Sequence, residues 1–399
     1  MWRPLLDGDR AASAAAAVHA LAAALAAPAS QWHEPHAFLL SRGDAGLAVC
    51  FAYLHEVWPG QGHDERAREC LERGVAAAAG PTVNEELFGG FTGVGWAMEH
   101  LRGRVLPEDD DGAGDELDEV VLAVLRAGAR APYDLVRGLV GHGVYGLERG
   151  ARGAGALIVD EVVAHLDAQL HAAPGGGRAI RSDDEFDVGL AHGMAGVVAW
   201  LARALVAGHA RARTPLADSV RWLLAQRLPP DARAVFPESI DGEGQPRLGR
   251  WGWCYGDPGV ASALLAAARA CRRDDWAQAA LAAARHGLAT LDQRIAGLAD
   301  AGFCHGASGL AHMYNRMYQA TGDAALGDAA SRLADAVLAH GQRGGGLAGH
   351  AFVRDDGAGG QAMVPAPALL TGAAGVAAVL AAAVSQVEPA WDRVLLLGT

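Results

Sequence analysis

The sequence predicts an all-α protein built from seven helix pairs. Three observations carry that reading: 53 glycines that fall into a repeating pattern, apolar residues at helical spacing between the repeats, and scarce alternating Val, Ile or Thr runs with only 6% aromatics.

The repeat is Gly-x-x-Gly followed by a small or apolar run. Its copies are Gly43–Gly46, Gly90–Gly93, Gly138–Gly141, Gly193–Gly196, Gly256–Gly259, Gly306–Gly309 and Gly372–Gly375. Steps between second glycines run from 47 residues (46 to 93) to 66 (309 to 375), which is room for two helices each. A glycine pair at a helix start lets the backbone turn sharply and pack closely on a neighbour. The runs after the glycines are apolar all round and predict an inner layer. Those between them, such as Glu116–Arg130 and Pro215–Leu228, are amphipathic and predict an outer layer. Seven pairs can close into a ring or stack as an open solenoid. In either case the glycine turns gather on one face, where function is expected.

One domain spanning residues 1–399 is expected, with irregular insertions near 171–187 and 227–252. Segments of that length in a compact fold usually serve a site or hold small strands. Both lead into chemically rich repeats, so they read as walls of the site.

Bulk properties narrow the function. At 51% hydrophobic and 20% charged, the chain has material for a large core. A net charge of -13 argues against a nucleic-acid partner, is compatible with a cationic peptide, and also serves as a general solubility device. The five cysteines, Cys50, Cys70, Cys254, Cys271 and Cys304, are too few and too odd for a disulfide framework, which fits a reducing compartment. Asp7 and Asp9 spoil the basic region that a signal peptide needs, so the alanine-rich stretch from Ala11 to Ser30 reads as a first helix. Ala366–Val387 is uncharged but broken by Gly372 and Gly375, so it reads as a buried helix without membrane insertion. A cytoplasmic protein is expected.

The fifth and sixth repeats carry chemistry that the others lack. Cys254 stands just before Gly256, and Cys304 and His305 stand just before Gly306. Two thiols and an imidazole aligned on adjacent turns suit zinc, with one tetrahedral position left open. A single Cys is more often a small buried hydrophobe, and a Cys–His nucleophile pair is the rival reading, although it has no need of a second thiol. His192 precedes Gly193 as His305 precedes Gly306, Asp134 lies four residues before Gly138, and Arg250 and Tyr255 flank Cys254. Asp134 can fix the tautomer of His192 or raise its basicity, and Arg250 can stabilise developing negative charge. His142 and His312 read as packing. Trp251 and Trp253 either shield the site or offer the peptide a surface, and packing is the preferred reading.

At these residues the chain resembles the lanthionine synthetase C-like family, the lanthipeptide cyclases. The matching motifs are GLAHGMAG (189–196), WCYGDPG (253–259) and CHGASG (304–309), supported by YDLVRGLVG (133–141) and by Arg250. The resemblance implies an α/α toroid of seven inner and seven outer helices, with zinc held by Cys254, Cys304 and His305. It also implies active-site positions at His192, Asp134, Arg250 and Tyr255. Family members can carry a small β-rich extension, for which only 171–187 or 227–252 has room here.

The activity so implied is zinc-dependent addition of a peptide cysteine thiolate to dehydroalanine or dehydrobutyrine, giving lanthionine or methyllanthionine. The partners it calls for are a dehydrated precursor peptide with a leader and a separate dehydratase. Glutathione addition to dehydroamino acids in proteins would use the same residues. A non-catalytic scaffold of a synthetase complex would not need His192, Asp134 and Arg250. A glycosidase toroid would need paired carboxylates at the turns, where mainly Asp44 and Asp257 are available.

Overall fold

A computed structural model describes the chain apart from residues 28–38, 81–82, 110–111, 128–131, 356–359 and 399. The ends of two runs read from sequence, Ala11–Ser30 and Glu116–Arg130, therefore lie outside the described residues. Backbone contacts divide the chain into two units.

The first unit comprises Met1–Val83, His100–Glu108 and Thr290–Trp391. It begins with helices α1 (Gly8–Leu25), α2 (Asp44–Val57) and α3 (His63–Ala78). It resumes with the short α12 (Leu291–Ala296), then α13 (Ala307–Thr321), α14 (Ala324–Gln342) and α15 (Ala373–Val384). A hairpin of β6 (Phe352–Asp355) and β7 (Gln361–Val364) pairs Phe352 with Val364. The two kinds of helix predicted from sequence are both here. In α15 every residue from Ala373 to Ala383 is buried, so α15 is surrounded, packing on α1, α2 and α13. In α3 the buried positions are His63, Ala67, Cys70, Leu71 and Gly74, a single stripe that faces α2. Likewise α14 packs on α13 and α1.

The second unit comprises Asn84–Glu99, Asp109–Ala289 and Asp392–Thr399. Most of α4 (Phe91–His100) belongs to it, followed by α5 (Ala113–Arg126), α6 (Leu139–Arg149) and α7 (Gly155–Gln169). Then come α8 (Met194–Val206), α9 (Arg213–Ala225), α10 (Asp257–Cys271) and α11 (Asp274–His286). The apolar helix α8 packs between α6 and α10 and is buried without interruption from Met194 to Ala202. Full burial of each of its large apolar side chains, Trp200 and Leu201 among them, is worth about 1.5–3 kcal/mol. The outer partners α7, α9 and α11 pack on α6, α8 and α10 respectively.

One charged cluster is buried in this second unit. The Arg149 side chain is 0% exposed and bonds Glu99 at 3.0 Å and Asp118 at 2.9 Å. Tyr145 donates a further bond to Asp118 at 2.7 Å. Such a cluster holds only while all members are present.

The insertions hold the small strands that the sequence allowed. In the first, β1 (His171–Ala172) pairs with β2 (Arg178–Ala179). Then β3 (Phe186–Asp187) pairs with β4 (Ser239–Ile240), which pairs with β5 (Pro246–Arg247). The two insertions are thus tied by one antiparallel sheet, which their separation in sequence did not reveal.

Six of the repeats share one local construction. The first glycine is the N-cap of α2, α6, α8, α10, α13 and α15, in extended backbone except at Gly256, whose φ of 107° favours glycine. The second glycine lies against the carbonyl of the residue six positions earlier: a Cβ at Gly141 would meet the oxygen of Leu135 at 2.6 Å, and one at Gly259 that of Trp253 at 2.7 Å. The chain before each helix folds back over the helix's first turn, and only a residue without a side chain admits that approach. Of the run Ala366–Val387, only Ala373–Val384 is helical, as the buried core helix α15, with the glycine turn before it; among the described residues no helix is long and apolar enough to cross a membrane.

Candidate active site

Backbone hydrogen bonds join successive glycine turns within each unit, mostly through the residue two positions before the first glycine. In the second unit Phe88 donates to Val136, Leu135 to Ala191 (3.1 Å) and Ala191 to Cys254 (3.2 Å). In the first, Cys304 donates to Leu370 (2.9 Å) and Leu370 to Ser41 (3.1 Å). Cys254 and Cys304 occupy that same position of their repeats, and His192, Tyr255 and His305 occupy the one after it. The repeat alignment made from sequence is therefore a structural equivalence.

Asp134, His192 and Tyr255 come together in the second unit. Asp134 is 5% exposed and accepts the backbone N–H of Arg137 at 2.7 Å and the Arg137 guanidinium at 3.3 Å. Its other neighbour is Nδ1 of His192 at 3.5 Å, long for a hydrogen bond and close for a charge pair. Burial alone would raise the Asp134 carboxyl, but His192 and the Arg137 N–H outweigh it and hold the carboxyl below its usual range. The carboxylate is therefore ionised at neutral pH and fixes Nδ1 of His192, which leaves Nε2 as the nitrogen for other work.

The ring of Tyr255 stacks on that of His192, with centroids 5.8 Å apart and an interplanar angle of 27°. Room for it comes from Gly189, where a Cβ would meet Tyr255 Cδ1 and the Cys254 carbonyl, each at 2.5 Å. Burial and the charge of Asp187 push the Tyr255 hydroxyl far above its normal pKa, so it stays protonated. Two residues missed from sequence lie in the same group. Asp187, on β3, has its carboxyl pushed up to about 6 by burial and by the charge of Glu185, against the opposing influence of His192 and the nearby Tyr255 hydroxyl. Tyr133 is 5% exposed, and its hydroxyl has no hydrogen-bond partner among the described residues. Arg137 was also passed over, although an arginine three residues after an aspartate in a turn is a readable signal.

Arg250 is not drawn into this group. Its side chain is exposed and makes no hydrogen bond or ion pair among the described residues, while its carbonyl abuts the position where Gly256 lacks a Cβ. Trp253 is 1% exposed, donates its indole N–H to Leu395 at 2.9 Å and meets Phe88 edge-on, so it packs; Trp251 is half-buried. His142 bonds the Glu85 carbonyl at 3.1 Å and His312 stacks on Trp391, both buried, as the packing reading required. Asp257 accepts the backbone N–H groups of Val235 and Phe236, and Asp44 pairs with Arg73. Neither carboxylate of the glycosidase alternative is available for chemistry.

Cys304 and His305 end the turn before α13. None of the five cysteines is in a disulfide, and among the described residues Nδ1 of His305 is buried with no hydrogen-bond partner. An orphaned buried imidazole nitrogen is costly unless something binds it, and a metal ion is one such occupant. Cys254, Cys304 and His305 are also the group of cysteine, histidine and carboxylate side chains that could hold a metal ion among the described residues.

Paired helices led by glycine turns, with thiols, imidazoles and a buried carboxylate at their starts, define a helical protein with a candidate metal-dependent centre. The chain belongs to the lanthionine synthetase C-like family, whose model, described as "Lanthionine synthetase C-like protein", matches residues 34–396. Among solved structures it is similar to nisin cyclase, with a TM-score of 0.71 at 20% identity, over 92% of this chain and 95% of that one. That likeness shows the fold, the α/α toroid class implied by the sequence. No curated protein matches the chain.

Proposed function

We propose that this chain is a zinc-dependent lanthipeptide cyclase, adding peptide cysteine thiolates to dehydroalanine or dehydrobutyrine to form lanthionine and methyllanthionine rings. The observation that carries the reading is the donor set of Cys254, Cys304 and His305, two sulfurs and a nitrogen able to hold one metal ion, in a chain of this family. Three protein ligands leave a fourth position open, as in catalytic rather than structural zinc sites. When bound, zinc lowers the pKa of a substrate thiol, so that the thiol reacts as a thiolate.

The chain's own residues take the proton and charge steps. Addition of sulfur to the β-carbon leaves an enolate, which must receive a proton at the α-carbon. His192 gives it from Nε2, since Nδ1 is committed to Asp134. Transfer from a positioned acid is worth about 10²–10⁴-fold. Tyr255 holds the plane of the His192 ring and, being protonated, can donate a hydrogen bond to the enolate. Arg250, which is exposed, meets the anionic transition state only once bound substrate draws it in.

The substrate is a dehydrated precursor peptide bearing a leader, supplied by a separate dehydratase in the cytoplasm. The test is zinc content by elemental analysis for wild type and Cys304→Ala. Each protein is also given a dehydrated, cysteine-containing peptide, and remaining thiols are counted by alkylation and mass spectrometry. One zinc per chain with loss of thiols, both abolished by the substitution, is the expected result. Zinc without thiol loss in wild type refutes the cyclase reading, and a parallel arm with glutathione tells whether another thiol is the substrate. No zinc in wild type refutes the mechanism.

A further inference from the structure

The sheet that joins the two insertions ends at the candidate active site, and Asp187 is where it does so. Asp187 pairs with Ser239 in the sheet, and the next residue, Val188, donates to the Glu238 carbonyl at 2.9 Å. On its other side the strand is seated on the turn that carries His192. A Cβ at Gly193 would meet the Asp187 carbonyl at 2.6 Å, and Ala195 donates to the Val188 carbonyl at 3.2 Å. The Asp187 backbone is thus locked to the start of α8, one residue from His192.

Its side chain reaches the same place by a second route. The carboxyl lies within interaction range of the Tyr255 hydroxyl, and the Tyr255 ring stacks on His192. Among the described residues, Oδ1 of Asp187 is buried without a partner, as is the hydroxyl of Tyr133. A carboxylate kept only to stabilise a loop normally has its buried oxygens satisfied, and exceptions concentrate where a group has another task. The neighbouring Glu185 shows the contrast: it accepts the Ser239 hydroxyl at 2.9 Å and serves the sheet.

We propose that Asp187 is a positioning residue of the reaction assigned above: it holds the Tyr255 hydroxyl, and through it the ring that sets the orientation of His192. The inference rests on that assignment for its chemistry but not for its geometry. It makes the small sheet part of the catalytic apparatus, so that a change in the insertions reaches the proton donor through one carboxyl group.

The test compares Asp187→Asn, Asp187→Ala, Tyr255→Phe and the double variant Asp187→Ala/Tyr255→Phe in the full chain. In the cyclisation assay Asp187→Ala is expected to lower kcat by about 10–100-fold with little change in KM, the scale of a misplaced catalytic group. Asp187→Asn keeps an acceptor oxygen for the Tyr255 hydroxyl and recovers most of that loss. The double variant is no worse than its poorer parent, because the two residues act in series. A second readout needs no turnover. The ring resonances of His192, assigned by their absence in His192→Gln, shift in Asp187→Ala and in Tyr255→Phe but stay close to wild type in Asp187→Asn. Wild-type resonances and rates in Asp187→Ala overturn the proposal, as do losses that multiply in the double variant. If wild type does not cyclise yet the resonances shift as described, the assigned reaction fails and the positioning role stands.

Discussion

Replacing Gly259 by alanine tests whether the glycine turns position the chemistry. A Cβ at that position would lie 2.7 Å from the Trp253 carbonyl oxygen and 3.1 Å from Leu190 Cβ, whereas ordinary contact begins at 3.4 Å. The Trp253 backbone must therefore retreat by about 0.7 Å (3.4 less 2.7). Trp253 cannot do so freely, since its side chain is 1% exposed and its indole is bonded to Leu395. Overpacking of this kind costs about 1–3 kcal/mol, of which the better helix propensity of alanine returns about 1. A net loss of up to about 2 kcal/mol is expected in urea unfolding. Cys254 follows Trp253 directly, and metal sites tolerate ligand displacements of only about 0.2 Å. Zinc retention against a competing chelator should accordingly weaken by about tenfold or more. The control is Gly297→Ala, where the nearest atoms lie at 3.5 and 3.6 Å and the backbone is right-handed. It should be neutral or stabilising by up to about 1 kcal/mol, with zinc retention unchanged. A Gly259→Ala protein that matches Gly297→Ala in both measurements would show that the fold-back has no part in holding Cys254.

His192→Gln should keep one zinc per chain and lose about 10²–10⁴-fold in cyclisation rate, measured by elemental analysis and thiol counting. The Asp187 carboxyl, raised to about 6, binds its proton more tightly in the folded chain than in the unfolded one. Its stabilising contribution is full below about pH 4 and is lost as pH rises through 6. Relative to wild type, Asp187→Asn should therefore be more stable at pH 7.5 than at pH 4, by on the order of 1 kcal/mol after allowance for solvent screening; a gap in urea unfolding that does not vary with pH contradicts this. Arg149→Ala leaves Asp118, at 2% side-chain exposure, without its cation and Glu99 with Arg152 alone, and should cost about 3–5 kcal/mol by the same measurement.

Much of this was legible in the sequence because glycine and apolar periodicity are local signals. Every Gly-x-x-Gly copy precedes a helix, and runs such as Pro215–Leu228 became the one-sided partner helices. The donor set was legible because repeat register put Cys254 and Cys304 at equivalent positions. What stayed hidden depends on contacts distant in sequence. The pairing of β3 with β4 spans more than fifty residues and rests on two-residue strands, too short for any alternation to show. In the sequence Asp187 is only the end of a loop, since nothing local says that a strand seated on Gly193 carries it towards Tyr255. Asp257, which sequence alone offered as a free carboxylate, is spent on two backbone N–H groups of the second insertion.

The fold-back at each repeat also separates scaffold from content. Glycines, carbonyl contacts and turn-to-turn hydrogen bonds involve backbone alone, so they constrain hardly at all which side chain stands just before the first glycine. Along the chain that place is held by Arg42, Gly89, Arg137, His192, Tyr255, His305 and Thr371. It works as a set of seven sockets of one pattern, and the reactive groups fill a consecutive run of them, from Arg137 to His305. A new chemistry could be written into such a chain by exchanging the occupants of adjacent sockets, without touching the helices that carry them.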